Sequence, residues 1–419
     1  MTPPRSACFK PDKYDDVALI ANRDDEREDL AATLESLVVP GGPGEGRVLI
    51  RGDRGVGKSI LTRWVLKDIV SKYGPLCVIA DGGKAQHGQD AFLRTLCRDL
   101  AKEISENTLD DNLATAAEVL RRLARATKVA AKEVRQWSTT LKFGINLKSQ
   151  LLNSVQFEFG LERAKGRSAM VEESYERAID APFLAELLQK MLTDCYRANQ
   201  FVVVFADNLD QVGYGELDED VKRVSDLARQ IFGLENAVIV ANLRTEFVSA
   251  DLRKLYSVEK RIEGVKRQGL RDIANRRMEL AGDNQKEALA RAGFDAFIGE
   301  LCQYTDNAWA FLSWLAFLDY EPIEFDKGEE VAALHRALRR FAVRRFGGLT
   351  QPEIERLCAC FCENPARTLA VTDLASGGVD QGLLTRAARY GALIPDLLLS
   401  PSTYALCPAL HFCRGPAAP

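Results

Sequence analysis

The sequence predicts an α/β protein in which a parallel β-sheet flanked by helices precedes a largely helical region. Three observations support this class. Short apolar runs alternate with amphipathic helical segments as far as about residue 267, which is the pattern of βαβ units. A glycine-rich stretch, RGDRGVGKSI, lies between one such run and the helical segment that follows it. Beyond this part the apolar spacing is almost wholly helical, which indicates a second domain.

Length and composition place the chain among ordinary globular proteins. Its 419 residues exceed what one hydrophobic core usually holds, so two or three domains are expected. A hydrophobic content of 46% with 28% charged residues excludes a disordered chain, a collagen-like chain and a small disulfide scaffold. The formal net charge of −4 means that nucleic-acid binding would require a local basic patch.

No apolar run approaches the length of a membrane span, and the opening MTPPRSACFKPDKYDD lacks the apolar core of a signal peptide. We therefore expect a cytoplasmic protein without a membrane partner. The ten cysteines lack a regular framework spacing, which suits a reducing compartment, so structural disulfides are not expected. The group Cys358, Cys360 and Cys362, with His411, Cys407 and Cys413 further on, suggests zinc, but the spacing favours packed core cysteines.

The elements of the α/β part follow a regular order. A helix is predicted in NRDDEREDLAATLESL, where leucines recur at helical spacing behind an acidic start. The run RVLI predicts a strand, and ILTRWVLKDIVSKYG predicts the helix beyond the glycine-rich stretch. A second buried strand lies in PLCVIADGG, and a helix follows it in AFLRTLCRDLAKEI.

An insertion at about residues 109–165 interrupts this order. Its first part has a polar helical pattern, and its second part contains two arms with strict apolar and polar alternation, TTLKFGINLK and SVQFEFGLE. This alternation predicts a β-hairpin with one apolar face. We expect the hairpin to pack against the protein, with a partner-binding or nucleic-acid-binding arm as the alternative.

The strongest strand signal lies in FVVVFADNLDQV, where the five apolar residues Phe201 to Phe205 predict a strand buried on both faces. A helix in VKRVSDLARQIFG and a strand in AVIVANLRTEF then complete the α/β domain. The predicted units are residues 1–267 as the α/β core with its insertion, 268–325 as a helical unit, and 326–419. The last unit has a basic helix, then helices and a small hairpin in a winged-helix-like order.

The glycine-rich stretch fits G-x-x-x-x-G-K-[ST], with the second glycine followed by Lys58 and Ser59. Phosphate binding needs main-chain N–H groups that converge at a helix N-terminus, and glycines let the backbone come that close. Because a strand and a helix flank the stretch, we interpret it as a phosphate-binding loop and not as a simple turn. The residues expected to contact the nucleotide are Gly52, Asp53, Arg54, Gly55, Val56, Gly57, Lys58, Ser59 and Ile60.

A magnesium ion bound with the phosphates needs oxygen ligands, which we assign to the Ser59 hydroxyl and the Asp207 carboxylate. Asp207 ends the strongest strand, and ligands bind outside the carboxyl ends of parallel strands, so both residues should lie at one sheet edge. The alternative role of Asp207 is to cap a helix. Hydrolysis also requires a group that orients the attacking water, and the nearby candidates are Asn208 and Asp210.

At this point the chain resembles the additional-strand P-loop ATPases, the group that includes AAA+, STAND (NACHT-like) and initiator-like proteins. The resemblance covers about residues 15–280 and rests on three motifs: GDRGVGKS as Walker A, FVVVFADNLDQ as Walker B, and VIVANLRTE as a sensor-bearing strand. It implies a P-loop NTPase core followed by a helical lid, with ATP and Mg²⁺ bound and ATP hydrolysed.

The resemblance also implies roles for individual residues. AAA+ proteins usually have glutamate directly after the Walker B aspartate, whereas this sequence has Asn208; the order DNLD is more similar to STAND ATPases and implies Asp210 as the water-orienting group. Asn242, Arg244 or Thr245 would sense the γ-phosphate. Arg244 is also the candidate for stabilising transition-state charge, with a surface ion pair as its alternative.

Two further similarities concern the edges of the core. Arg276 and Arg277, on the first helix of the helical unit, occupy positions at which lid arginines act as sensors in AAA+ proteins. The segment ANRDDERE resembles the G-R-x-x-E entry that contacts adenine, with Asn22 in place of the usual glycine.

The resemblance implies an ATP-dependent molecular switch that works as a homo-oligomer or with a protein partner; prokaryotic STAND relatives often serve in signalling or in defence against phage. Two alternatives stay open. A DNA-binding initiator or loader would use the winged-helix-like unit and the arginines Arg336, Arg340 and Arg344, although pairing with acidic neighbours is an equally good use of them. The other alternative is a nucleotide-binding scaffold without turnover.

Overall fold

The computed structural model describes most of the chain outside the N-terminal segment and the predicted hairpin. The described residues are 23–39, 41–87, 89–126, 128–130, 176–178, 180–211, 217–249, 251–279, 294–320, 329–363, 367–395 and 403–413. Both arms of the hairpin predicted between residues 138 and 162 lie outside these ranges.

The helices follow the predicted order. They are α1 (Asp24–Val38), α2 (Lys58–Tyr73), α3 (Gln89–Asn107), α4 (Asp111–Arg125), α5 (Ala181–Arg197), α6 (Leu217–Phe232), α7 (Arg267–Glu279), α8 (Phe294–Tyr304), α9 (Ala308–Tyr320), α10 (Glu330–Arg345), α11 (Gln351–Phe361), α12 (Val371–Ser376) and α13 (Gln381–Arg389). None of the helices in the described ranges is both long enough and apolar enough to span a membrane.

The strands form a large sheet in the α/β part and two small ones elsewhere. They are β1 (Gly46–Arg51), β2 (Leu76–Asp81), β3 (Lys128–Ala130), β4 (Glu176–Ala178), β5 (Val202–Asp207), β6 (Val238–Leu243), β7 (Val258–Arg261), β8 (Thr368–Ala370), β9 (Leu393–Pro395) and β10 (Thr403–Leu406). Short β3 and β4 pair with each other in antiparallel fashion.

The large sheet has five strands in the order β2-β5-β6-β1-β7, and all its pairings are parallel. Every residue of β5 and of β6 is buried, as expected for strands that helices cover on both faces. The predicted parallel-sheet α/β core is thereby confirmed. Because all five strands run the same way, their carboxyl ends meet at one edge.

Two apolar layers cover this sheet, and the residues of β5 alternate between them. Val203 and Phe205 pack with α1 and α2, whereas Val202, Val204 and Ala206 pack with α3, α4, α5 and α6. This alternation follows from the two-residue period of a strand. The long apolar run that identified the strand in the sequence is therefore a consequence of having a core on each side.

The helical region forms one further core that extends from Val265 to Phe412. At its centre the Trp314 side chain is fully buried, and its indole Nε1 donates a hydrogen bond to the carbonyl of Ala409 at 3.0 Å. The ring of Phe412 meets it edge-on, with 6.1 Å between centroids. Residues on both sides of the predicted boundary at 325 thus contribute to a single core.

The C-terminal part combines α11, α12 and α13 with a three-stranded antiparallel sheet in the order β8-β10-β9. The predicted helices and hairpin are present. The additional strand β8 lies between α11 and α12, and at three residues it is too short to show a strand period in the sequence.

The expectation that the cysteines form no disulfide is wrong for one pair. Cys358 on α11 and Cys413, in the short 3₁₀ turn Pro408–Cys413, form a disulfide with a Cα–Cα distance of 5.5 Å. The two residues are 55 positions apart, so only the packing of this turn on α11 brings them within disulfide range. Across the described ranges, no group of three or more His, Cys, Asp or Glu side chains is placed to hold a metal ion.

We predict that Trp314→Ala destabilises the protein strongly, because it leaves a large cavity in the core of the helical region and removes the hydrogen bond to Ala409. The expected loss is about 3–5 kcal/mol of unfolding free energy, measured by urea denaturation with circular dichroism. Val331→Ala on α10, where the side chain is 45% exposed, is the control, and its effect should stay within about 0.5 kcal/mol. Equal losses in the two variants would contradict the assignment of Trp314 to the core.

Candidate nucleotide site at the carboxyl edge of the sheet

The loop between β1 and α2 is shaped by its glycines and by the helix that follows. Gly57 caps α2 with φ +99°, a left-handed conformation that other residues rarely adopt. No side chain caps this helix start. The first N–H groups of an α-helix have no partner within the helix, so the start of α2 offers donors and the positive end of a helix dipole to an anion.

The ammonium group of Lys58 lies across this loop. Its Nζ donates hydrogen bonds to the carbonyls of Gly52 at 2.7 Å and Asp53 at 2.9 Å, and the residue is buried. A buried cation at a helix N-terminus fits a polyanionic ligand. The geometry of the loop therefore fits phosphate binding.

Ser59, on the first turn of α2, contacts the acid that ends β5. Its Oγ donates a hydrogen bond of 2.6 Å to Oδ1 of Asp207, although 148 positions separate the two residues. Asp207 is 2% exposed. A hydroxyl and a carboxylate oxygen are the ligands that Mg²⁺ prefers in proteins, so the pair fits a magnesium ion held beside the phosphates. Helix capping, the alternative role of Asp207, would not explain this contact across the sheet.

Further polar groups surround Asp207. Its Oδ1 accepts hydrogen bonds from the backbone N–H of Asn208 at 3.0 Å and from Nδ2 of Asn242 at 3.3 Å. Arg63 on α2 approaches Oδ2 at 3.5 Å. Asn242 is 2% exposed and is the last residue but one of the neighbouring strand β6, and its hydrogen bond makes it part of the set around Asp207. Sequence reasoning named Asn242 as a sensor candidate and missed Arg63, which lies four positions after Ser59 on the same helix face.

Two of the predicted catalytic residues contact each other. Nε of Arg244 forms an ion pair with Oδ2 of Asp210, and its Nη2 lies 3.3 Å from the carbonyl of Asp210. The guanidinium also lies over the ring of Phe247, 4.7 Å from its centroid. Both side chains of the pair are less than one fifth exposed. Arg244 therefore forms an ion pair, as its alternative role predicts. The pair is largely buried, and its partner is a candidate catalytic residue.

Asn208 faces another direction. Its backbone has φ +56°, and its Nδ2 donates to Oδ1 of Asp81, the last residue of β2, at 3.3 Å. Left-handed conformations are rare outside glycine, and asparagine is among the residues that tolerate them. The sequence analysis did not single out Asp81, whose only signal was its place at the end of a predicted strand.

The phosphate-binding loop also contacts the helical region. Asn307 precedes α9, where its Oδ1 accepts the N–H of Ala310 at 3.0 Å and its Nδ2 donates to the carbonyl of Arg54. The backbone N–H of Trp309 donates to the carbonyl of Gly55 at 3.1 Å. Gly55 has φ +85°, and a Cβ there would lie 2.3 Å from Cβ of Trp309. Sequence reasoning missed Asn307, although asparagine before an apolar helix is a typical capping signal.

Arg23 fixes the loop from the other side. It is 6% exposed, and its Nη2 donates to the carbonyls of Val56 at 2.8 Å and Glu263 at 2.7 Å. An ion pair with Glu26 completes its contacts within the ANRDDERE segment. Asn22 lies outside the described residues. The segment therefore ties the loop to the chain that leaves β7.

The two lid arginines differ in their surroundings. Arg277 on α7 is 3% exposed, whereas the Arg276 side chain is 53% exposed and lies 3.9 Å from Glu279.

The remaining residues predicted to contact the nucleotide differ in their exposure. Val56 is buried, Ile60 is half-buried and Asp53 is exposed.

The C-terminal turn comes within electrostatic reach of the loop. Burial lowers the pKa of His411, and the carbonyl of Leu406 and the carboxylates of Asp306 and Asp53 oppose this shift. Burial likewise raises the pKa of Cys407, against the nearby cations Arg54, Arg345 and Arg244. Both groups are therefore neutral at pH 7, and charges of the loop act on the C-terminal part of the chain.

We predict that Asn307→Ala loosens the loop as well as α9, because one side chain caps the helix and holds the carbonyl of Arg54. The variant should lose about 1 kcal/mol of unfolding free energy and exchange the amide hydrogens of residues 52–59 faster. Mass spectrometry of hydrogen exchange measures the second effect.

The control is Asp380→Ala, which removes the side-chain cap of α13, a 2.7 Å hydrogen bond from the N–H of Leu383. It should cost about as much stability, near 1 kcal/mol, and leave exchange in the loop unchanged. Equal exchange in the two variants would refute a link through Asn307.

A family model described as AAA ATPase domain matches residues 20–240. No curated protein matches the chain.

Among solved structures, the Walker-type ATPase PABY2304 of Pyrococcus abyssi is similar at 15% identity over 94% of this chain and 95% of that chain, with a TM-score of 0.42. The Aeropyrum pernix ORC1 protein, solved in complex with DNA, has 14% identity, 95% and 92% coverage and a TM-score of 0.41. The Thermotoga maritima RuvB Holliday junction branch migration motor has 12% identity, 92% coverage of both chains and a TM-score of 0.34.

The family match spans more than half of the 419 residues and includes both the phosphate-binding loop and Asp207. The chain belongs to the AAA ATPase domain family and is a P-loop ATPase of the AAA+ type.

Proposed function

We propose that the protein binds Mg²⁺-ATP at the loop before α2, hydrolyses it, and uses the bound nucleotide to set how its helical region is held. The observation that carries this proposal is the 2.6 Å contact between Ser59 and Asp207 beside a glycine-shaped helix N-terminus. The hydroxyl and the carboxylate are ligand types that Mg²⁺ needs, and they lie beside the backbone N–H donors that phosphates need.

In this proposal each part of the loop has a separate task. Backbone N–H groups between Gly52 and Ile60 hold the phosphates, and Lys58 exchanges its contacts with loop carbonyls for the outer phosphate oxygens. Ser59 and Asp207 hold Mg²⁺, which when bound neutralises phosphate charge. Arg23 supports the loop from behind, and family membership favours adenine as the base.

Four residues serve hydrolysis. The Asn208 amide helps to orient the attacking water, and Arg244 stabilises charge on the γ-phosphate. The sequence analysis gave the water to Asp210. Its ion pair with Arg244 favours a different task, which is to hold that guanidinium at the edge of the site. Asn242 acts as the γ-phosphate sensor through its contact with Asp207.

Coupling to the rest of the protein runs through α9. The carbonyls of Arg54 and Gly55 bind the start of this helix, so a loop that closes on phosphates changes those contacts. Buried residues on both sides of position 325 share one core, so the lid and the C-terminal unit would move together. We keep the predicted units as a proposal: an ATPase core at 1–267, a lid at 268–325 and a winged-helix-like unit at 326–419.

As for biological role, we propose a molecular switch that assembles with copies of itself or with a protein partner. Prokaryotic signalling or defence against phage is the setting that its resemblance to STAND ATPases favours.

A second candidate function is that of a DNA-binding initiator or loader. It is favoured by Arg336, Arg340 and Arg344, which are all exposed on α10 at a spacing of four residues. The C-terminal order of helix, strand, two helices and two strands is the order expected for a winged helix, which supports this candidate. Against this use, Arg336 lies 3.7 Å from Glu329 and Arg344 lies over the ring of Phe317.

We predict that Lys58→Ala weakens Mg²⁺-ATP binding at least about tenfold, because the cation that faces the outer phosphates is lost. Isothermal titration calorimetry measures the affinity. Lys254→Ala, which removes an exposed lysine paired with Asp251, should bind as the wild type does. Wild-type protein that gives no heat with Mg²⁺-ATP would refute the proposal, and tight binding with phosphate release at background would select the scaffold without turnover.

We predict that DNA binding, if it is the function, depends on α10. Duplex DNA should bind at low salt and more weakly as salt rises, and the triple change of Arg336, Arg340 and Arg344 to Glu should lower the affinity at least about tenfold in fluorescence anisotropy. The matched control changes Arg121, Arg122 and Arg125, exposed on α4, to Glu and alters the net charge equally. An equal fall in both variants, or no binding at low salt, would exclude this face as a DNA site.

A further inference from the structure

One acid at the carboxyl edge of the sheet has no task in the function proposed above. Asp81 ends β2, and the parallel register of β2 with β5 pairs it directly with Asp207. Neighbouring strands lie about 4.8 Å apart, so the two backbones are one strand spacing from each other. Asp81 therefore lies beside the predicted magnesium ligand at the edge where the phosphates would bind.

Asn208 occupies the position at which AAA+ proteins usually place a glutamate. Its amide can orient a water molecule by hydrogen bonding, but it cannot take up a proton as a carboxylate does. The amide is directed to a carboxylate instead, because Nδ2 donates to Oδ1 of Asp81 at 3.3 Å. An acid on β2 and an amide on β5 thus stand together at the end of the sheet.

Two other acids that follow the strands at this edge, Asp207 and Asp210, have partners of their own. Asp207 is buried and accepts hydrogen bonds from Ser59, Asn208 and Asn242, which suits a metal ligand. Asp210 is in an ion pair with Arg244. Both hydrogen bonds that Asp81 makes within the described residues go to Oδ1, from Asn208 and from the backbone N–H of Gly83 at 3.0 Å. Oδ2 of this half-buried side chain is left to meet water.

We infer that Asp81 is the catalytic base of ATP hydrolysis, an inference that rests on the proposed function. The oxygen of the attacking water forms a bond to the γ-phosphorus while the bond from that phosphorus to the bridging oxygen breaks. ADP leaves with the electron pair, and the proton of the water goes to the carboxylate of Asp81. Asn208 is the positioning residue that orients this carboxylate and the water.

The test is Asp81→Asn. Asparagine keeps an oxygen that can accept from Gly83 and Asn208, so the turn after β2 is preserved and only the proton acceptor is lost. Phosphate release should fall at least about 100-fold, the lower range for loss of a general base. Mg²⁺-ATP affinity in calorimetry should stay within threefold of wild type. Nucleotide extracted from the incubated variant should remain ATP, whereas wild type yields ADP.

Two further variants sharpen the assignment. Asp81→Glu retains a carboxylate and should recover part of the turnover that Asp81→Asn loses. Asp210→Asn makes the same change at the competing acid, which holds Arg244. It should lower phosphate release less than tenfold, because asparagine still offers an oxygen to Arg244.

The outcomes separate this inference from the proposed function. If wild type binds and hydrolyses ATP while Asp81→Asn does so within threefold, the inference fails and the proposed function stands. A greater fall in Asp210→Asn than in Asp81→Asn, or loss of Mg²⁺-ATP binding in Asp81→Asn, would also overturn it. Wild type that binds ATP without turnover would overturn both the inference and the hydrolytic part of the proposal.

Discussion

The parallel register of β1, β6, β5 and β2 is the constraint on which the site depends. The strands all end at the same edge, so groups that are far apart in the chain meet there. The hydrogen bond between Ser59 and Asp207 expresses this alignment, and Asn242 and Asp81 reach the edge by the same route. The sheet brings together the polar groups of its strands, and the glycine loop adds Ser59 at the start of α2.

The features that sequence reasoning predicted well are those with a local signal. The glycine loop shows in its spacing, and β5 shows in five consecutive apolar residues that two cores require. These two features are enough to predict that Ser59 and Asp207 meet. Pairing between distant strands has no such signal. The position of Asp81 beside Asp207 was therefore not predicted. The Cys358–Cys413 bond was missed for the same reason, since packing alone brings the two together.

The catalytic candidates illustrate a second limit. Motif similarity named Asp210 and Arg244 separately and gave each a task of its own. Their ion pair joins the turn after β5 to the turn after β6, and a pair has a different chemistry from its members taken singly. Helical periodicity in turn located most helices after residue 267, but it carries no information on which of them share a core. Trp314 and its contact to Ala409 supply that information.

The link between the loop and the helical region has an evolutionary consequence. Main-chain atoms make part of it, because the N–H of Trp309 donates to the carbonyl of Gly55. Amide groups persist when side chains diverge, so relatives could replace most residues around α9 and still keep this contact. Conservation of side chains would then understate how firmly the two parts are joined. Selection would instead preserve glycine at position 55 and exclude proline, which has no N–H, at position 309.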